Sequence, residues 1–352
     1  MNVLLTHERF LPDFGGGGEY IVFRTATGLL ARGVNVRVLT TGDPALRCYQ
    51  GVPTERLPIS RYAFNLQVGP IAAQARAHEL IHTFAYHACL PSLLAARRAD
   101  RPVVCEILGL FGPAWRAMKG PLIGRVFEAW ERFLVSRPYD RRIFLSQANR
   151  DAPSKRIGAA DDVVIEPGID YSGLSPDKCR KPSVVFAGKL DARKGIHHVL
   201  AVARSLPDIP FRVFGWADDI SALRALAPAN VQIVESKNSN NYHAALSEAT
   251  IFFFPSYAET FGIVVAEAMA AGCAVVSSVD TISFAGAYVA PGDEAAMISA
   301  LRRIYDDPVG TAALGEENQR RAARFSWETH IERLLKVYDE TLAAHRAKRR
   351  HA

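Results

Sequence analysis

The stretch TIFFFPSYAETFGIVVAEAMAAGCAVVSS, Thr250–Ser278, reads as one strand–helix–strand unit. Ile251–Phe254 is an apolar run too short for a helix, and Pro255, which cannot donate to a ladder, stops it. The composition predicts a helix from about Gly262 to Ala271, with Gly272 as its C-terminal stop. Cys273–Ser278, CAVVSS, is a second apolar run. Two buried strands joined by a crossover helix run parallel, because the helix carries the chain back to the end where it started. Two carboxylates sit in this unit, Glu259 in the loop above the first strand and Glu267 about one and a half turns into the helix. An ionised carboxylate among Val264, Val265, Ala266 and Ala268 is costly unless donors surround it. A ribose diol or sugar hydroxyls would supply donors to Glu267, and so would a lysine or arginine in a structural ion pair. For Glu259 the competing reading is a solvated loop residue.

The same alternation extends in both directions. SVVFAG, FRVFGW and VQIVES precede this unit as further strand candidates separated by helical stretches. Earlier strands are expected near Asn2–Thr6, Asn35–Thr41, Leu80–Phe84, Pro102–Leu108, Arg142–Ser146 and Val163–Glu166. The pattern restarts after YSGLSPDKCRKP, Tyr171–Pro182, which has linker composition. Two doubly wound α/β domains follow from this, and 352 residues are more than one core usually holds. Ligands in such sheets lie at the carboxyl ends of the strands, so two facing sheets would place a site in the cleft between them. Trp327, Ile331, Leu334, Leu335, Tyr338 and Leu342 recur at helical spacing and predict an amphipathic closing helix, followed by a basic tail.

The net charge is +6, and the surplus is carried by the first half: through Asp170 there are 21 Lys and Arg against 16 Asp and Glu. A basic half suits an anionic partner. No nucleic-acid module is recognisable, which ranks a nucleic-acid-binding protein last. The five cysteines, Cys48, Cys89, Cys105, Cys179 and Cys273, form no C-x-x-C pair, so neither a disulfide framework nor a zinc site is expected. The N-terminal apolar run is too short for a signal peptide, and no stretch approaches the ~20 apolar residues of a membrane span. The expected location is cytoplasmic, either soluble or peripheral on the inner face of the cytoplasmic membrane.

Glu259, Phe261-Gly262, Glu267-Ala268, Gly272 and Val275-Val276 together resemble the E-x7-E pattern of the retaining glycosyltransferases of family 4, also called glycosyl transferases group 1. AGKLDARKGIHHVL, Ala187–Leu200, resembles that family's G-R-L-x-x-x-K-G segment, with Lys189 in the place of the arginine and Lys194 in the place of the lysine. RFLPDFGGGGEYIVFR, Arg9–Arg24, resembles its Gly-Gly-x-Glu loop at Gly16, Gly17 and Glu19. Landmarks continue through FLSQANRD, VVIEPGID, APGD and FSWE, so the resemblance runs from Asn2 to about Leu342.

The resemblance implies a GT-B fold: two doubly wound Rossmann-like domains facing a central cleft, the C-terminal helix crossing back to the first. The implied divisions are 1–170 on the acceptor side, a linker at 171–182, a nucleotide-sugar domain at 183–325, and the closing helix and tail at 326–352. It further implies glycosyl transfer from a nucleotide diphosphate sugar to a glycan or lipid-linked acceptor, of the kind used in bacterial polysaccharide or glycolipid assembly. Glu259 would contact the donor sugar, and Glu267 would hold the ribose. Lys189 and Lys194 would hold the diphosphate, with Gly16, Gly17, Gly188, Thr260, Phe261 and Gly262 lining the donor site. Glu19, His82 and Glu106 are acceptor-side candidates. There are two departures. Leu108 stands before Gly109 where many members have histidine, and Phe84 replaces the second histidine of a His-x-His pattern that begins at His82. No Asp-x-Asp occurs, and lysines with a helix N-terminus can balance a diphosphate, so no cofactor and no essential metal are expected. A GT-B sugar-nucleotide epimerase and a non-catalytic sugar-nucleotide binder are the alternatives. Gly109–Arg142 mixes aromatic and basic residues, which fits either a helix packed on its sheet or contact with an anionic membrane surface.

Overall fold

A computed structural model describes residues 1–13, 16–152, 162–176, 180–236 and 240–350. Gly15 of the four-glycine run, part of the expected linker and Cys179 lie outside them. The chain divides into two compact units: Met1–Gly168 with Trp327–Ala352, and Ile169–Ser326.

Unit 1 is built on an eight-stranded sheet in the order β3-β4-β2-β1-β5-β6-β7-β8. Its strands are β1 (Asn2–Thr6), β2 (Asn35–Thr41), β3 (Cys48–Tyr49), β4 (Val52–Leu57), β5 (Leu80–Phe84), β6 (Val103–Ile107), β7 (Arg141–Phe144) and β8 (Asp162–Val164). All neighbours are parallel except the β3–β4 pair. The sheet is covered on both sides, which is why its central strands read as unbroken apolar runs. Val3, Leu5, Val36 and Val38 pack on α1 (Gly17–Ala31) together with Ile331, Leu334, Tyr338 and Leu342 of the closing helix. Leu4, Leu39 and Ile81 pack among Ile71, Ala75, Leu93 and Ala96 of α2 (Val68–Ala75) and α3 (Cys89–Ala99). Two further helices, α4 (Ala114–Lys119) and α5 (Pro121–Val135), follow β6, and α6 (Gln147–Asp151) follows β7.

Unit 2 holds a six-stranded, all-parallel sheet in the order β11-β10-β9-β12-β13-β14. The strands are β9 (Val184–Lys189), β10 (Phe211–Trp216), β11 (Val231–Glu235), β12 (Ile251–Phe254), β13 (Ala274–Ser277) and β14 (Gly286–Tyr288). The helices are α7 (Ile196–Ser205), α8 (Ile220–Leu226), α9 (Asn240–Glu248), α10 (Ile263–Ala270), α11 (Glu294–Tyr305) and α12 (Pro308–Ala322). Every residue of β12 and β13 is buried, as the opening stretch required. α10 begins directly after Gly262 and ends at Ala270, one residue short of the expected stop.

The closing helix, α13 (Trp327–Arg350), belongs to unit 1. Trp327, Ile331, Leu334, Tyr338 and Leu342 are buried as their spacing predicts. Leu335 is only partly buried. The cysteines among the described residues are free thiols.

Candidate active site

In unit 2 the chain leaves β9 toward β10 and β11 on one side, and leaves β12 toward β13 and β14 on the other. This reversal is a switch point, where doubly wound sheets place their ligands at the carboxyl ends of the strands. The loop after β9 carries Lys189, Arg193 and Lys194, and that after β12 carries Ser256, Glu259, Thr260, Phe261 and Gly262. The loops are fastened to each other, since Tyr257 N donates to Arg193 O at 2.9 Å. Gly195 makes this approach possible. Its φ is +74°, and a Cβ there would stand 2.2 Å from Pro255 O, so only glycine fits.

Three donors face Glu259. Lys194 Nζ hydrogen-bonds to Oε1, Ser256 Oγ donates to the same oxygen at 2.9 Å, and Arg193 Nη1 lies 3.8 Å away. Burial pushes this carboxyl up, but the Lys194 and Arg193 charges outweigh it and hold the group below its ordinary pKa. Burial likewise pulls the Lys194 ammonium down, and Glu259 only partly offsets this. The two residues assigned by resemblance to the sugar and to the diphosphate are therefore paired with each other here. Lys189 lies 4.7 Å from the Trp216 ring centre and 3.8 Å from Asp191, whose carboxylate also accepts from Lys194 N at 3.0 Å.

Glu267 is 3% exposed. Tyr242 donates its hydroxyl to Oε2 at 2.7 Å, and His243 Nε2 lies 3.3 Å from Oε1. Burial would depress the His243 imidazole, yet the bond and charge of Glu267 raise it above its ordinary value. A carboxylate offers about four lone-pair positions, so two protein donors leave room for a diol. Tyr242 and His243 carry no motif, and only their place on α9 beside α10 reveals them.

In unit 1, Gly16 caps α1, Gly17 opens it and Glu19 is buried in its first turn. His82 and Glu106, expected on the acceptor side, have no exposed surface at all. They lie in the core on adjacent strands, His82 Nε2 3.2 Å from Glu106 Oε2 and His82 Nδ1 2.6 Å from the Tyr338 hydroxyl. Both faces of a covered parallel sheet are interior, so alternation along the strand exposes neither residue. Leu108 packs into the same core, and a Cβ on Gly18 would meet its Cδ1 at 3.3 Å.

Two family models tile the chain: Glycosyltransferase Family 4 matches residues 15–172 and Glycosyl transferases group 1 matches residues 175–321. The chain belongs to the family 4, group 1 glycosyltransferases. This glycosyltransferase, an enzyme of the hexosyltransferase type, is 26% identical over 366 residues to the phosphatidyl-myo-inositol mannosyltransferase of Mycobacterium leprae, covering 94% of each chain. Its fold is GT-B. The sucrose-phosphate synthase of Thermosynechococcus elongatus superposes with a TM-score of 0.85 at 22% identity, over 97% of this glycosyltransferase and 99% of that chain. HepE of Anabaena, solved in complex with UDP-glucose, superposes at 0.77 and 18% identity, over 97% and 100%.

Proposed function

We propose that this glycosyltransferase moves a sugar, with retention of anomeric configuration, from a nucleotide diphosphate sugar to a glycan or lipid-linked acceptor. The observation that carries the reading is the pairing of a basic loop and Glu259 at the switch point of unit 2, with Glu267 buried in the helix that follows. A cationic strand-to-helix loop suits an anionic diphosphate, and HepE, which shares the fold, binds UDP-glucose. Lys189 and Lys194 take the diphosphate, so the Lys194–Glu259 pair loosens as donor enters. Glu259 then accepts from sugar hydroxyls and Glu267 from the ribose. Gly16 and Gly17 line the donor phosphates.

The same lysines balance the leaving diphosphate as the glycosidic bond breaks, with backbone N–H groups near Phe261 and Gly262. Retention by double displacement would need a carboxylate nucleophile beneath the sugar. Glu259 is taken by sugar hydroxyls in this reading, which favours front-face departure, a diphosphate oxygen taking the acceptor proton. Lysine and arginine supply the positive charge, so the reaction proceeds without a divalent metal and survives chelation.

α5 gives the acceptor side its character. Leu122, Ile123, Val126, Phe127, Trp130 and Phe133 are all exposed, Leu122 at 76%. Arg125 of α5 and Lys119 of α4 neighbour them in sequence, and Arg116 and Arg132 share Glu128 between them. An apolar face rimmed by cations suits the interface of an anionic membrane. Among the described residues no helix is long and apolar enough to cross one.

The test is thermal stabilisation of the protein by UDP-, GDP-, ADP- and dTDP-sugars, followed by NMR of the product formed with the stabilising donor. One nucleotide class should raise the melting temperature, and an α-donor should yield an α-linked product. Flat curves across the panel would refute donor binding. A β-linked product would refute retention, and donor consumption without an acceptor product would point to the epimerase instead.

A further inference from the structure

His198 lies in the first turn of α7, four residues after Lys194, and is buried. Both of its ring nitrogens are bonded: Nδ1 lies 2.7 Å from Glu294 Oε1, and Nε2 lies 2.7 Å from the Tyr257 hydroxyl. A carboxylate only accepts, so Nδ1 carries a proton and donates to Glu294. In the neutral ring Nε2 is then the acceptor, and Tyr257 donates to it. The three residues come from the carboxyl ends of three strands of one sheet. His198 stands in the segment after β9, Tyr257 in the loop after β12, and Glu294 at the start of α11, which follows β14. Glu294 is the first residue of that helix, directly behind the Asp293 cap, where the helix end favours a negative charge.

Tyr257 stands two residues before Glu259. The loop they share is pinned near both ends, by Ser278 Oγ donating to Ser256 O at 2.6 Å and by Thr281 Oγ1 donating to Phe261 O at 2.7 Å. Between the pins, Tyr257 N donates to Arg193 O at 2.9 Å, Arg193 Nη1 donates to Ala258 O at 3.4 Å, and Lys194 holds the Glu259 carboxylate. When a donor diphosphate takes Lys194, that last tie is released. The bond from Tyr257 to His198 remains, and Glu294 anchors it in turn. A carboxylate on one ring nitrogen fixes the orientation of an imidazole and strengthens the other nitrogen as an acceptor.

We propose that Glu294, His198 and Tyr257 form a clamp, and that His198 is a positioning residue for the donor's sugar: it acts through Tyr257, holding the loop after β12 so that Glu259 meets the sugar hydroxyls once Lys194 has turned to the diphosphate. This rests on the glycosyltransferase reading, which puts the sugar at Glu259. The clamp divides the work of the site. Lys194 and Glu267 have supports of their own, Asp191 at the Lys194 backbone and Tyr242 with His243 at the Glu267 carboxylate. Binding of the nucleotide diphosphate is therefore independent of the clamp, and handling of the sugar depends on it.

The test measures, in the full chain, calorimetric affinity for UDP and the initial rate of UDP release from UDP-glucose; if the melting panel selects another nucleotide class, its members replace this pair. His198→Phe keeps a ring and loses both bonds. It should leave nucleotide affinity within about twofold and lower the release rate on the order of 10- to 100-fold, the cost of a misplaced contact. His198→Gln, whose amide offers a donor to Glu294 and an acceptor to Tyr257, should recover part of that rate. In a Glu259→Gln background, His198→Phe should cost no more than about a further twofold, because the group it positions is already altered. A purely structural histidine would instead lower the melting temperature and leave the rate of the folded enzyme intact. Release unchanged in His198→Phe, nucleotide affinity falling as far as the rate, or losses that multiply in the double variant would each overturn the proposal. If the wild type binds no nucleotide of the panel, the glycosyltransferase reading fails separately. The clamp is then read by hydrogen exchange of the Tyr257 amide, which Arg193 O protects: His198→Phe should speed it about tenfold or more, and unchanged exchange overturns the clamp.

Discussion

Glu267→Gln isolates the ribose role, because glutamine keeps the volume and one acceptor oxygen but replaces the other with an NH2 donor. Tyr242 can still donate to the amide oxygen, whereas the position that His243 faces at 3.3 Å loses its negative charge. A diol that donates to a carboxylate makes charge-assisted bonds worth about 1.5–3 kcal/mol each, so losing one weakens donor binding on the order of 10- to 150-fold. In a melt at donor concentration 100 times the wild-type Kd, ligand adds about 2.7 kcal/mol of stability; with Kd weakened about 30-fold, the same concentration adds only about 0.9 kcal/mol. The assay is this ligand-dependent increment, not the melting temperature itself, which the mutation also lowers by disturbing a buried network. A variant that is folded and shows the full wild-type increment would refute the ribose assignment and return Glu267 to a structural partner of α9.

Lys194→Met should lower kcat/KM for transfer by about 10²–10³, the usual cost of removing one preorganised group that stabilises developing negative charge. Initial rates with the stabilising donor check this, and a change within twofold would contradict it. His243 links stability to pH: its raised folded-state pKa contributes fully below the ordinary imidazole value of about 6.5 and is lost as pH rises through the folded value. Urea unfolding near pH 6 and near pH 8 should therefore show a difference that His243→Gln diminishes. Ile123→Glu with Val126→Glu, both on the exposed face of α5, should leave the fold intact and cut partition into anionic vesicles at least tenfold. Sedimentation with vesicles reads this, and binding that ignored either the mutations or the anionic lipid would exclude the membrane role.

The sheets were legible because covered parallel strands must be short apolar runs, and β1, β2, β5 and β10 sit on the residues so identified. β4 was not, because VPTERL carries proline and two charges. It is tolerated near the sheet edge, with Arg56 drawn inward by Asp13. β14 is three residues long, and Gly286–Tyr288 offers no pattern to read. At the candidate site, motif spacing singled out Lys194, Glu259 and Glu267, but spacing says nothing about which side chains meet them. The Lys194–Glu259 pair, the donors Tyr242 and His243, and the anchoring of Ser256 are tertiary facts. His82 and Glu106 show the converse: polar residues within strands that the fold uses inside unit 1, where Tyr338 meets the histidine.

That meeting has a consequence for synthesis. Tyr338, Leu334 and Ile331 fill the same core as Val3 and Leu5, so unit 1 is assembled from the two ends of the chain. As the chain leaves the ribosome, β1 appears first, but α13 follows only after all of unit 2 has emerged. Domains made from contiguous sequence can fold as they emerge, N-terminal first. Here the order is inverted: the later unit is the first to have all of its residues available. The earlier one must wait with part of its apolar sheet uncovered until its last helix arrives.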